Sequence, residues 1–182
     1  MKVAYIDLET NYVGKHTDQA LFSDCRNHLI TVLGVRVIDA KTDEFIQLVD
    51  KDVTKKALMD TLRGVRQLVS YNGRSIPDSL KGRVGFDFPV ISAQLGVVLD
   101  KEFEHKDLVP ECWRRNLYGG QKKVEEILGL KRKLTDKDGG WATEAWGKYL
   151  ETKKKSYLDD LLAYNREDVF MLREIELKLE KL

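Results

Sequence analysis

The order of apolar patterns in this chain predicts an α/β fold, a mixed sheet with helices on its faces. Three features carry that expectation: a buried-type strand at the start, a hairpin-like pair of apolar runs after it, and a long C-terminal stretch with helical period. With 182 residues, 42% of them hydrophobic, the chain suits one domain over 1–182 with a sizeable core. No internal repeat, low-complexity segment or Pro/Gly-rich linker divides it.

Val3-Ala4-Tyr5-Ile6-Asp7-Leu8-Glu9-Thr10 is rich in apolar and β-branched residues and reads as the first strand. Runs 29–39 and 44–50, joined by the polar turn Ala40-Lys41-Thr42-Asp43, read as a hairpin. A helix over 54–63 follows, then a short strand at Leu68-Val69-Ser70 that closes on the turn pair Asn72-Gly73. Beyond a polar loop come a helix over 87–99, a short strand near Asp107, and then mostly helix. The last helix is expected over 157–181, with Ser156 and Asp159 as a capping box. At about 100° per residue, Leu161, Tyr164, Asp168, Leu172, Ile175 and Leu179 fall in one stripe.

Acidic residues stand where apolar ones are expected. Asp7 and Glu9 leave the first strand on the same face, about 7 Å apart, and two ionised carboxylates there repel unless a cation lies between them. A solvated, frayed strand end would also accommodate them. Asp168 sits inside the apolar stripe, at a cost of several kcal/mol unless it binds a metal or pairs with an arginine on a neighbouring element. Tyr164 projects the same way one turn earlier, as an ordinary core tyrosine also would. Asp87, two residues before Pro89, equally fits a helix N-cap.

Taken together, Asp7-Leu8-Glu9-Thr10, Tyr71-Asn72-Gly73 with Phe86-Asp87-Phe88-Pro89-Val90-Ile91, and Tyr164-x-x-x-Asp168-Val169 resemble the DEDD 3′-to-5′ exonucleases of the ribonuclease-H-like superfamily. The likeness is strongest to YprB-type predicted exonuclease domains, with family B polymerase proofreading domains more distant. Stretches 117–131 and 141–165 extend it over nearly the whole chain. Ala163 stands where a histidine-type third motif has its histidine, whereas Tyr164 matches the tyrosine (DEDDy) type.

The resemblance implies a ribonuclease-H-like mixed sheet of about five strands, the first three antiparallel, flanked by helices. It implies two-metal hydrolysis of a terminal phosphodiester, with Asp7 bridging both ions, Glu9 and Asp168 completing the site that activates water, and Asp87 helping to hold the second. All-oxygen ligation suits two Mg²⁺ or Mn²⁺ rather than zinc. Tyr164 would orient the attacking water, since a phenol with a reference pKa near 10 is a poor base at neutral pH. Thr10, Asn72, Arg74 and Lys122 are the expected substrate contacts. The implied substrates are single-stranded DNA or RNA 3′ ends, with a helicase or repair protein as a further partner. A catalytically idle nucleic-acid-binding module and a structure-specific endonuclease on the same fold are the alternatives.

Composition agrees. Cys25 and Cys112, the only two cysteines, have no metal spacing and form no disulfide framework. The opening strand lacks signal-peptide character and no apolar run suits a membrane span, so cytoplasmic residence without membrane attachment is expected. The formal net charge is +1; setting aside the four acids leaves +5 on the remainder, clustered at Lys81/Arg83, Arg114/Arg115, Lys122/Lys123, 131–133 and 153–155. Trp113, Trp141 and Trp146 are candidates for base stacking or for the core. His16, His28 and His105 read as scattered surface histidines. Loops 11–28 and 74–85 are longer than the family pattern, and Arg74, Lys81 and Arg83 in the second are expected to contact the substrate strand.

Overall fold

A computed structural model of the chain describes residues 1–14, 24–74 and 85–182. His16, Lys81 and Arg83 therefore lie outside the described residues, as do half of the loop 11–28 and most of the loop 74–85. Among the described residues one five-stranded sheet forms from β1 (Val3–Tyr12), β2 (His28–Ile38), β3 (Asp43–Val49), β4 (Gln67–Ser70) and β5 (Glu104–Asp107). Their order is β3-β2-β1-β4-β5. β1, β2 and β3 pair antiparallel, while β4 and β5 run parallel to β1. The expected mixed α/β sheet, with its first three strands antiparallel, is the observed one.

Alternation along β1 decides which side each residue serves. Ala4, Ile6 and Leu8 enter a core with Leu58 and Leu62 from α1 (Lys55–Thr61) and its C-cap, and with Phe88, Val90 and Ile91 from α2 (Asp87–Leu95). Leu99 of the short α3 (Leu99–Glu102) joins them. On the opposite face Tyr5 packs with Leu108 and Cys112 of α4 (Leu108–Trp113) and Val124 of α5 (Gln121–Ile127). Val169, Leu172, Ile175 and Leu179 of the long α7 (Lys155–Leu179) complete that layer. α6 (Gly139–Thr152) packs on α7 through Ala142, Trp146, Leu161 and Tyr164, so Trp146 belongs to the core.

Two helix boundaries differ from the sequence expectation. α2 stops at Leu95 because Gly96 takes the left-handed conformation, φ +65°, and its N–H bonds the Ser92 carbonyl. The Ser156 capping box does not form: Lys153 turns left-handed to end α6, the chain reverses in two residues, and α7 begins at Lys155 with Ser156 already inside its first turn. The stripe foreseen on that helix is buried as expected, joined by Asn165, Val169 and Glu176.

The register also opens the site. β4 pairs with β1 only over Val3–Tyr5, so β1 runs on past the end of β4 and leaves an opening at the C-terminal ends of the parallel strands. Ligands of open α/β sheets bind at such ends. A bulge between Glu9 and Thr10 against β2 then re-aims β1 directly after its second acid.

Candidate metal and nucleic-acid site

Asp7 and Glu9 stand on the face of β1 that α7 covers, and the first carboxylate meets that helix where Tyr164, Asn165 and Asp168 emerge. One oxygen each from Asp7, Glu9 and Asp168 lie within 4.8 Å of one another. Glu9 and Asp168 are buried and Asp7 is partly so. Asp87 stands outside this tightest trio, buried as the first residue of α2, whose N-cap is Phe86. Its charge nonetheless reaches Asp7 and Glu9.

Burial first, and then the neighbouring carboxylates, hold Asp7 and Glu9 well above the usual carboxylate range. Asp87 is raised likewise by burial and by Asp107. Asp168 is raised by burial, but Arg132 opposes the shift through a direct ion pair. Arginine pairing, one of the two ways foreseen to keep Asp168 inside the stripe, is thus realised for that acid. Arg132 is shared: it also contacts Glu125 at 3.2 Å and Glu167 at 3.6 Å. Among the described residues, Asp7 and Glu9 have no such cation within ion-pair distance. An all-oxygen set of three acids with one shared arginine is the donor chemistry a hard divalent ion takes, so the residues fit a metal.

Tyr164 is buried beside Asp168, with which its hydroxyl hydrogen-bonds. Burial and the surrounding carboxylates push its phenol far above its ordinary value, so it stays protonated. The Lys122 ammonium lies 4.5 Å from the ring centroid and donates to the Lys137 carbonyl. These groups border a cleft of about 450 Å³, lined also by Tyr71, Asn72, Phe86, Lys123 and Gly139, within the size range of small-molecule sites.

A family model described as RNase H superfamily matches residues 4–179. The chain belongs to the RNase H superfamily. Comparison with curated proteins gives no match. Membership in the RNase H superfamily supports a nuclease, a hydrolase assisted by divalent metal ions, and the acidic trio lies within the matched span.

Of the expected substrate contacts in this RNase H superfamily chain, Lys122 and Asn72 line the cleft and two do not. Asn72 takes φ +64°, its N–H bonds Asp107 at 2.9 Å, and its buried Oδ1 has no hydrogen-bond partner among the described residues. Thr10 is instead occupied with His28, Oγ1 to Nδ1 at 3.0 Å. Arg74 is exposed and is tied down by its amide to Asp107 at 3.3 Å. His28 and His105 are not surface histidines. His28 is buried between Tyr12 and Phe86, with ring centroids 4.8 Å from each. His105 bonds Ser70 at 2.8 Å and is driven to a pKa of about 4, mostly by burial, so it is neutral.

Residues that the motifs did not flag do much of the holding. Asp107 accepts from the amides of Asn72, Arg74 and Val109, fixing the turn whose carbonyls at Asn72 and Gly73 receive Phe86 N–H and Phe88 N–H at 2.9 and 2.7 Å. That turn therefore seats the start of α2 and Asp87. Gln121 donates to the Asp168 carbonyl at 2.9 Å. The position of Asp107 at a strand end, directly before an apolar pair, was the available signal; Arg132, in a loop, offered none.

The electrostatics give a testable pH dependence. Asp7, Glu9 and Asp87 bind protons more readily in the fold than in the unfolded chain, so they favour folding below the ordinary carboxylate range and lose that contribution as pH rises through their raised values. Metal-free protein is expected to melt at lower temperature at about pH 8 than at about pH 6, and saturating Mn²⁺ should remove most of the difference. Thermal scans at both pH values, with and without metal, check this. A melting temperature that rises with pH without metal contradicts it.

Among the described residues no helix is long and apolar enough to cross a membrane.

Proposed function

We propose that the protein is a 3′-to-5′ exonuclease of the tyrosine (DEDDy) type, acting on single-stranded DNA or RNA ends with two Mg²⁺ or Mn²⁺ ions held by Asp7, Glu9, Asp87 and Asp168. The observation that carries this reading is the convergence of Asp7, Glu9 and Asp168 within 4.8 Å, with Tyr164 one turn before the last of them. When bound, the ions would supply a hydroxide at neutral pH and offset charge on the reacting phosphate.

The chain's own residues supply the rest. Tyr164 keeps its proton and hydrogen-bonds Asp168, so it orients a water and does not deprotonate one. Lys122 and Lys123 at the cleft edge offset backbone phosphates, and Asn72 lines the same cleft beside Asp87. Lys137 lies 4.1 Å from the Trp141 ring, and that ring is 5.7 Å from Tyr164, a basic and aromatic border suited to unpaired bases.

Tyr164→Phe is expected to keep the fold and lose roughly 10- to 100-fold in kcat with KM little changed. Single-turnover rates beside a melting curve check it; full activity in the variant removes the orienting role.

One observation favours a second reading, a catalytically idle nucleic-acid-binding module: the Arg132–Asp168 pair already neutralises one acid. A 5′-labelled single strand and a closed circle of the same sequence, each incubated with Mn²⁺, separate the readings. Shortening of the strand from its 3′ end with the circle intact is the expected result. A cut circle would make the protein an endonuclease; binding without cleavage of either would favour the idle module.

A further inference from the structure

The strand register places three residues in one row across the sheet: Gln47 on β3 opposite Gly34 on β2, and Gly34 opposite Asp7 on β1. Gly34 has no side chain, and a Cβ there would overlap the Asn165 amide and come within 2.9 Å of Val169. The bare position is a slot, and the fully buried side chain of Asn165 fills it from α7. Asn165 Nδ2 donates to Asp7 Oδ2 at 3.0 Å and to the Asp7 carbonyl at 3.3 Å, while its Oδ1 accepts from Gln47 Nε2 at 3.0 Å.

Gln47 Nε2 also donates to the main-chain carbonyl of Leu162 at 2.9 Å. A carbonyl only accepts, so this bond fixes which end of the Gln47 amide faces α7. Asn165 must then turn its oxygen to Gln47 and its N–H to Asp7. We infer that Gln47 and Asn165 form a polarity relay: a residue on the edge strand determines that Asp7 meets a hydrogen-bond donor, which ties down one carboxylate oxygen and leaves the other for the site. Asn165 and Gln47 are thus positioning residues for Asp7. The functional meaning rests on the metal-site reading proposed above, whereas the amide orientation does not.

Two substitutions at Gln47 separate this relay from ordinary packing. Gln47→Glu at about pH 8 has no N–H to give, so both the Leu162 carbonyl and Asn165 Oδ1 would face an acceptor, driving the Asn165 amide to turn its oxygen onto Asp7. Gln47→Met keeps the shape and removes the polarity without forcing a turn. Mn²⁺ affinity, read by electron paramagnetic resonance, is expected to fall roughly tenfold or more in Gln47→Glu and less than about threefold in Gln47→Met. The sign is diagnostic, because an added negative charge acting by Coulomb attraction alone would tighten cation binding.

The side-chain amide resonance of Asn165, followed in metal-free protein by ¹⁵N spectra, should move much further in the glutamate variant than in the methionine one. Equal amide shifts in the two variants, or unweakened Mn²⁺ binding by Gln47→Glu in a protein that does bind the ion, overturn the relay. If the unaltered protein binds no Mn²⁺, the metal-site reading fails, and the amide comparison alone decides the orientation.

Discussion

Asp7→Asn is expected to abolish hydrolysis and at the same time to raise the melting temperature of the metal-free protein. Asp7 stands between Glu9, Asp168 and Asp87, and burial together with those three charges holds its carboxyl well above the usual range. An asparagine keeps the shape, still accepts from Asn165 Nδ2, and removes one charge from the cluster. Relief of about 1–2 kcal/mol of repulsion corresponds to a rise of roughly 2–8 °C for a chain of this size. Catalysis moves the other way, because a site that loses one of its converging carboxylates loses the charge that a cation needs; a drop of about 10³-fold or more, about 4 kcal/mol, is expected. Calorimetry and a single-strand degradation assay on the same preparation give both signs. A variant that is less stable than the parent, or still active, removes Asp7 from the centre of the site.

Arg132→Met should produce the largest loss of stability. The arginine side chain is almost fully buried and meets Asp168, Glu125 and Glu167, of which Asp168 and Glu125 are themselves buried. Removing the cation from a buried pair leaves its acids uncompensated, a cost of about 3–5 kcal/mol. Glu167 is the least dependent on it, because the amides of Lys133 and Leu134 also reach its carboxylate, at 2.6 and 3.0 Å. Two rescues follow: Glu125→Gln in the same chain should recover part of the stability, and Mn²⁺ should stabilise the variant more than it does the parent, since the ion no longer competes with a guanidinium at Asp168. Denaturant unfolding with and without Mn²⁺ measures all three species. A near-neutral Arg132→Met would mean that the pair carries little of the fold.

What could be read from the sequence follows from the range of the signals. Local period placed Asp7 and Glu9 on one face of β1, and Tyr164 and Asp168 on the inner stripe of α7, because two- and 3.6-residue repeats are written in adjacent residues. The superfamily motifs then linked these segments with Asp87. Roles that arise from register between distant strands were invisible: nothing local to Gln47 or Gly34 shows that they share a row with Asp7. Arg132 was hidden for a related reason, since a loop has no period and its partners come from α5 and α7. Ser156 misled because a capping signal is judged from spacing, whereas the left-handed turn at Lys153 started the helix earlier. Thr10 is expected at the substrate from its place in the motif, and its contact with His28 at 3.0 Å is one that spacing along the chain does not show.

On the function proposed above, Asp7, Glu9 and Asp168 converge because they share divalent ions. A crystal of the protein soaked in Mn²⁺ and measured for anomalous scattering tests this most directly. Peaks among those three carboxylates, with a second toward Asp87 and Arg132 turned to Glu125 and Glu167, are the expected result; an Arg132–Asp168 pair unchanged by the soak, with no peak beside Asp7 and Glu9, would contradict it.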